Sequence, residues 1–264
     1  MNRIQKTFSK LKERNAEALI SYLVAGDPDI PTTLEIMNTM VEKGADILEL
    51  GIAFSDPMAE GPSIQRAHER ALENDITLED VLDLVKEFRK SDLATPIVFM
   101  GYMNPFEAMG ATNFCKKAKD HGVDGILLVD MPPEESHEFT HAAKISEIDI
   151  IRLVAPTTDI ERVKKICHEA SGYIYYISVK GITGAGTFDP SDVKDKVNSL
   201  KSITKLPVVI GFGIKDAASV SLVKGLSDGI VVGSSLVDLI SEGKANVTGR
   251  ISSKMEELTK ALRN

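Results

Sequence analysis

The chain has 264 residues, 43% hydrophobic and 27% charged, enough for a sizeable core and close to the ~250 residues of one α/β barrel. Its net charge of −8 argues against a nucleic-acid partner, although backbone N–H groups can still hold a small anion. No apolar run approaches the ~20 residues of a membrane span, and Met1 to Phe8 mix charged and apolar residues without a secretory h-region, so a cytoplasmic protein with no membrane partner is expected.

A helix is predicted over 4–14, ahead of a first strand-like run at 19–24. Further runs follow at 47–50, 96–100, 125–130, 148–154, 173–179, 207–210 and 229–232. Most are short and continuously apolar, as parallel strands are when helices cover them. Their centres lie mostly one βα unit apart. The interval between the second and third runs is longer and has room for two helices, near 63–72 and 78–89. Helix starts are marked by Thr77 ahead of Leu78, Val81, Leu82 and Val85, by a capping box from Thr158 to Glu161, and by Asp189 before Pro190. A last helix is predicted over 251–262. Alternating units without a linker predict an α/β fold: a single (β/α)8 TIM barrel domain over 1–264, with an extra N-terminal helix and additional helices. An open doubly wound sheet is the second choice.

In such a barrel the reacting groups sit at the C-terminal strand ends and on the loops beyond them. Glu49 lies among Ile47, Leu48, Leu50 and Ile52 with no Lys or Arg close in sequence, so its carboxylate is unfavourable there unless it has a task. Glu60 follows on a Gly- and Pro-punctuated loop. Two carboxylates, one on a strand and one on a loop, suit acid–base work on a small molecule. Tyr102, Asp130 and Tyr175 also fall in or after strand-like runs; Asp130 alternatively caps a turn, and Tyr175 is alternatively a core aromatic. After the last three runs come Gly181 with Gly184 and Gly186, then Gly211-Phe212-Gly213, then Gly233-Ser234. Such loops let backbone N–H groups approach an oxyanion, and their convergence predicts a phosphorylated substrate. The dinucleotide fingerprint, HExxH, CxxC, GxSxG and the P-loop are absent. Cys115 and Cys167 read as reduced, half-buried thiols, and the histidines at 68, 121, 137, 141 and 168 as solvated residues, so no metal site is expected. Lys180 reads as phosphate-attracting or solvated rather than as a Schiff-base former.

Taken together, these motifs resemble the alpha subunits of tryptophan synthase. The likeness runs over essentially the whole length and is carried by Ala25-Gly26-Asp27-Pro28, the block 48–62, Asp130-Met131-Pro132, and the glycine loops at 181–184 and 211–213. The resemblance implies reversible retro-aldol cleavage of indole-3-glycerol phosphate to indole and glyceraldehyde 3-phosphate. It implies no cofactor in this chain, and delivery of indole to a pyridoxal-phosphate beta subunit in an alpha2beta2 heterotetramer. It assigns Glu49 as catalytic acid and base, and Glu60, where many members carry Asp, as a second acid facing the indole N–H. Tyr22, Ile64, Tyr102, Leu127, Tyr175, Thr183 and Phe212 would surround the substrate, with Tyr22 standing where Phe is frequent. Gly184, Gly213, Gly233 and Ser234 would hold the phosphate, and Thr183 would ride on a closing loop. Ala53, Asp56, Asn104 and Pro132 would face the beta subunit, Ala53 in place of the usual Pro. Two other readings stand beside this one. One is a different phosphate-binding barrel enzyme, such as indole-glycerol-phosphate synthase or a sugar-phosphate isomerase; the other is a non-catalytic activator of a partner enzyme. Strand ends offering Glu49 and tyrosines rather than lysines disfavour the synthase, and retention of both acids disfavours the activator.

Overall fold

The computed structural model describes residues 1–177, 190–211 and 213–264. The strands are Ala18–Val24 (β1), Ile47–Gly51 (β2), Ile97–Gly101 (β3), Gly125–Leu128 (β4), Asp149–Val154 (β5), Ile174–Ile177 (β6), Val208–Gly211 (β7) and Gly229–Val232 (β8). Each pairs in parallel with the next, and β8 pairs with β1, so the sheet closes into a barrel. Helix Arg3–Glu13 (α1) precedes the barrel, and Ile30–Glu42 (α2) follows β1. The long interval after β2 holds Pro62–Glu73 (α3) and Leu78–Phe88 (α4), close to the predicted spans. Then come Met103–Met109 (α5), Ala111–His121 (α6), His137–Ile145 (α7), Ile160–Glu169 (α8), Pro190–Ile203 (α9), Ala217–Val223 (α10), Ser234–Ser241 (α11) and Val247–Arg263 (α12).

The continuous apolarity of the strands has a two-sided cause. Outward residues such as Leu19, Leu48, Phe99, Ile126 and Val208 are buried under the helices. Inward residues Ile20, Ile47, Val98, Leu127, Ile151, Tyr173, Val209 and Val231 form a second cluster that fills the barrel. The apolar face of α1 (Ile4, Phe8 and Leu11) joins this inner cluster and plugs the N-terminal end of the barrel. Arg3 fastens it to Asp124 at 2.9 Å, and the Asn2 side-chain amide donates to Asp149 at 2.7 Å. Two residues further along their strands, the next inward positions are Tyr22, Glu49, Met100, Tyr175, Gly211 and Gly233, and all of these line a cavity.

Some local expectations change. The α8 cap is Asp159, not Thr158: the Asp159 carboxylate accepts from the Arg162 N–H, while the Thr158 hydroxyl accepts from the Ala155 N–H. Asp is as good a cap as Thr and lies one residue nearer the periodic face. Strand β4 ends at Leu128, which leaves Asp130 exposed on the following loop. Thr77 does cap α4, in a reciprocal box with Asp80. Cys115 is fully buried rather than half-buried, and desolvation pushes its thiol up to about 12; Cys167 is half-buried, and both are free. Asp189 lies outside the described residues. Among those residues no helix is long and apolar enough to cross a membrane.

Candidate active site

A cavity of about 520 Å³ opens at the C-terminal strand ends, a size suited to a small organic ligand. Tyr22, Glu49 and Tyr175 line it from β1, β2 and β6. Glu60, Pro62 and Ile64 line it from the β2–α3 loop and the start of α3, and Gly213, Gly233 and Ser234 close the β7–β8 side. Leu127 is not among the lining residues: it is fully buried in the inner cluster, in register with Met100 and Ile151. Tyr102 is also absent from the lining, and its hydroxyl is engaged elsewhere. Thr183, Gly184 and Phe212 lie outside the described residues, as does Lys180.

Glu49 is fully buried. Its Oε1 accepts from the Tyr173 hydroxyl at 2.6 Å, and its Oε2 is buried without a hydrogen-bond partner among the described residues. Lost hydration pushes this carboxyl up to about 7; the Tyr173 hydrogen bond opposes that rise, and the Glu60 charge adds to it. Tyr173 packs on Phe8 of α1, ring centroids 5.8 Å apart, so the barrel plug buttresses the group that holds Glu49. Burial and the neighbouring Glu49 charge keep the Tyr173 phenol protonated as a donor.

Glu60 is half-buried by surface area yet crowded by protein atoms, and lost hydration pushes its carboxyl up to about 7 as well. The loop that carries it is held through its backbone. Gln65 of α3 donates to the Glu60 carbonyl at 2.9 Å, Tyr102 accepts from the Ala59 N–H at 2.9 Å, and His68 Nδ1 accepts from the Phe54 N–H at 3.1 Å. The Tyr102 ring also stacks on Phe54, centroids 5.2 Å apart. These clamps position Glu60, and Tyr102 serves the loop rather than the cavity wall. His68 is a correction: it is buried, not solvated, and burial lowers its imidazole to about 4, so it remains a neutral acceptor. Its position on α3 is fixed in turn by Arg70, whose two donors meet Asp27 at 2.8 and 2.7 Å. His137, His141 and His168 are exposed and His121 is half-buried. No cluster of three metal-binding side chains occurs among the described residues.

Two tyrosines lie over two strand-end glycines. A Cβ at Gly51 would sit 2.3 Å from the Tyr22 hydroxyl, and one at Gly211 would sit 2.3 Å from the Tyr175 hydroxyl. Glycine is required at both positions so that the rings can form flat walls. Gly51→Ala is therefore expected to displace Tyr22, raising KM about tenfold, at an overpacking cost of about 1–3 kcal/mol seen as a lowered Tm. Steady-state kinetics and thermal melts check this.

Between the two tyrosine-bearing strands, on the β7–β8 side, Gly213 adopts φ +62°, and Ser234 opens α11 directly after Gly233. The first N–H groups of α11 and a glycine backbone thus converge where an anion is favoured. Outside the cavity, Asp56 and Asn104 are exposed, Ala53 and Pro132 are half-buried, and Met58 on the acid loop is 76% exposed.

Residues 8–263 match the family model described as tryptophan synthase alpha chain. The chain is 50% identical over 242 residues to a tryptophan synthase alpha chain of Burkholderia mallei, covering 92% of this chain and 89% of that relative. Its fold is similar to the crystal structure of the alpha subunit from Legionella pneumophila, with a TM-score of 0.93 and 40% identity over 100% of this chain and 99% of that one. It also matches a chain in a structure of the tryptophan synthase a2b2 complex from Pyrococcus furiosus, with a TM-score of 0.83 and 40% identity, covering 93% and 98% of the two chains.

Proposed function

The chain belongs to the tryptophan synthase alpha chain family, and we propose that Glu49 and Glu60 carry out the retro-aldol cleavage of indole-3-glycerol phosphate within its single barrel domain. The observation that carries this reading is the placement of Glu49 and Glu60 in one cavity with the glycine-built anion cradle of Gly213, Gly233 and Ser234, both carboxyls being raised by burial. Protonated Glu49 gives its proton to indole C3. Ionised Glu60 accepts the ring N–H bond as positive charge develops on the ring. The Glu49 carboxylate then takes the proton of the substrate hydroxyl as the bond from C3 breaks, and an aldehyde forms. One proton has moved from oxygen to carbon through Glu49, which ends as it began. Ile64, Met100 and Ile177 give the slot an apolar lining for the indole, while Gly213, Gly233 and Ser234 hold the phosphate. No cofactor enters these steps; pyridoxal phosphate belongs to the beta partner.

Tyr173→Phe removes the one hydrogen bond made to the Glu49 carboxylate among the described residues. A donor to the charged form lowers a carboxyl pKa, so its loss raises that of Glu49. The alkaline limb of the rate profile, which reports protonated Glu49, is expected to move to higher pH. The rate at pH 7 falls about tenfold as the carboxyl loses its fixed orientation. A pH series of kcat/KM checks both.

The partner we assign is a beta subunit in an alpha2beta2 assembly of the cytoplasm, seated on Ala53, Asp56, Asn104 and Pro132. Exposed Met58 and the linkage between the loops support this face. Asp130 on the loop after β4 accepts from the Met103 N–H at 2.8 Å, and Tyr102 next to it accepts from Ala59 beside Glu60. A protein bound there bears directly on the second acid. The test is indole release from indole-3-glycerol phosphate, with and without a pyridoxal-phosphate-loaded beta subunit. Slow turnover that rises more than about tenfold on addition is expected; no indole under either condition would refute the assignment.

A further inference from the structure

The two acids face a difficulty that the catalytic steps do not resolve. Chemistry requires Glu49 protonated and Glu60 ionised, yet both line one cavity and burial raises both carboxyls, so burial alone does not keep Glu60 ionised beside a protonated Glu49. The hydrogen bond from Tyr173 favours ionised Glu49, the wrong member of the pair. A donor to Glu60 is needed to separate them, and no side-chain donor to its carboxylate occurs among the described residues.

Tyr22 is placed to supply that donor. It is 3% exposed, and its ring is fixed between Gly51, over which the hydroxyl lies, and Gly233, whose Cβ position would be 3.4 Å from the ring. The residue lines the same cavity as Glu60, and its hydroxyl has no hydrogen-bond partner among the described residues. The ionisable groups that act on it are Glu60 first, then Glu49, Tyr102 and Tyr175. Burial and these charges keep its phenol protonated, hence able to donate. A hydroxyl without a partner and a carboxylate without a donor, lining one cavity, gain a charge-assisted hydrogen bond when they meet.

We propose that Tyr22 is a positioning residue for Glu60: in the substrate complex its hydroxyl donates to one carboxylate oxygen while the indole N–H donates to the other. The pair of bonds keeps Glu60 ionised and leaves the single proton on Glu49. Tyr173 and Tyr22 then set the two acids separately, one from below the cavity floor and one from the β1 wall.

This inference rests on Glu60 being the second acid. It is tested with Tyr22→Phe, which keeps the ring and removes only the hydroxyl, alongside Glu60→Gln and the double variant. Wild-type indole release first establishes the reaction; its absence would refute the reading of Glu60, not the role of Tyr22. Given turnover, Tyr22→Phe is expected to lower kcat about tenfold with KM changed less than about twofold, the loss of one charge-assisted hydrogen bond. The acidic limb of its kcat profile should move up about one pH unit, since loss of a donor raises the Glu60 pKa. In the Glu60→Gln background the same change should have little further effect on kcat. A Tyr22→Phe enzyme with an unmoved acidic limb, or one whose loss lies in KM alone, would overturn the proposal and make Tyr22 a substrate contact.

Discussion

Glu49→Gln is expected to reduce indole release by about 10³-fold or more while leaving phosphate binding intact. The amide fills the same space and can still accept from the Tyr173 hydroxyl, so the barrel interior is kept. It cannot give a proton to C3 or take one from the hydroxyl, and both transfers pass through this one group. The anion cradle at Gly213, Gly233 and Ser234 lies on other strands' loops and does not depend on Glu49. The same variant is expected to be more stable at alkaline pH. Burial raises the folded-state pKa of Glu49 from 4.5 to about 7, so the folded protein binds this proton more tightly than the unfolded chain does. Stability from this group is therefore full below 4.5, falls as pH rises, and levels off above about 7. At pH 8 the parent buries a charge that the amide does not carry. Glu49→Gln should gain on the order of 2 kcal/mol there, read as a Tm several degrees higher, and the gain should shrink toward pH 5. A dead enzyme that melts later separates loss of chemistry from loss of fold.

Glu60→Ala is the second large effect, an expected fall of about 10²-fold in kcat/KM. The loop is fastened by backbone contacts to Gln65, Tyr102 and His68, none of which uses the Glu60 carboxylate. Truncation therefore removes the acceptor for the ring N–H without releasing the loop. Most of the loss should appear in kcat, because charge develops on the ring in the transition state and not in bound substrate. Beta-subunit affinity should stay near that of the parent, since the exposed face of the loop is unchanged. Near-normal turnover would move the second-acid role to another group.

The barrel was legible because covered parallel strands are apolar on both faces, and the runs at 47–50 and 229–232 are continuous for that reason. Glu49 was legible as a carboxylate in the middle of such a run, whereas Asp130 and Asp149 lie at or next to the ends of theirs. Less visible was the division of inward positions into a filled lower tier and a functional upper tier. Leu127 belongs to the lower tier, buried with Val98 and Ile151 in the inner cluster, which composition does not reveal. Tyr173, two residues before Tyr175 and of the same parity, belongs below the cavity and meets Glu49 from there. The alternation of a strand marks it as inward, but not at which height. His68 sits on a helix between charged and small residues and reads as solvated; its acceptor role depends on a loop amide that only the fold brings to it. Gln65 and Tyr102 are of the same kind, side chains whose partners are backbone atoms of a distant loop.

The most direct measurement is a single-turnover reaction of the purified chain with indole-3-glycerol phosphate, following indole and glyceraldehyde 3-phosphate together, for the parent and Glu49→Gln. Equal amounts of the two products from the parent, and neither from the variant despite retained phosphate binding, are the expected result. Cleavage by Glu49→Gln at the parent's rate would contradict the role given to the buried carboxylate and with it the proposed chemistry of the site.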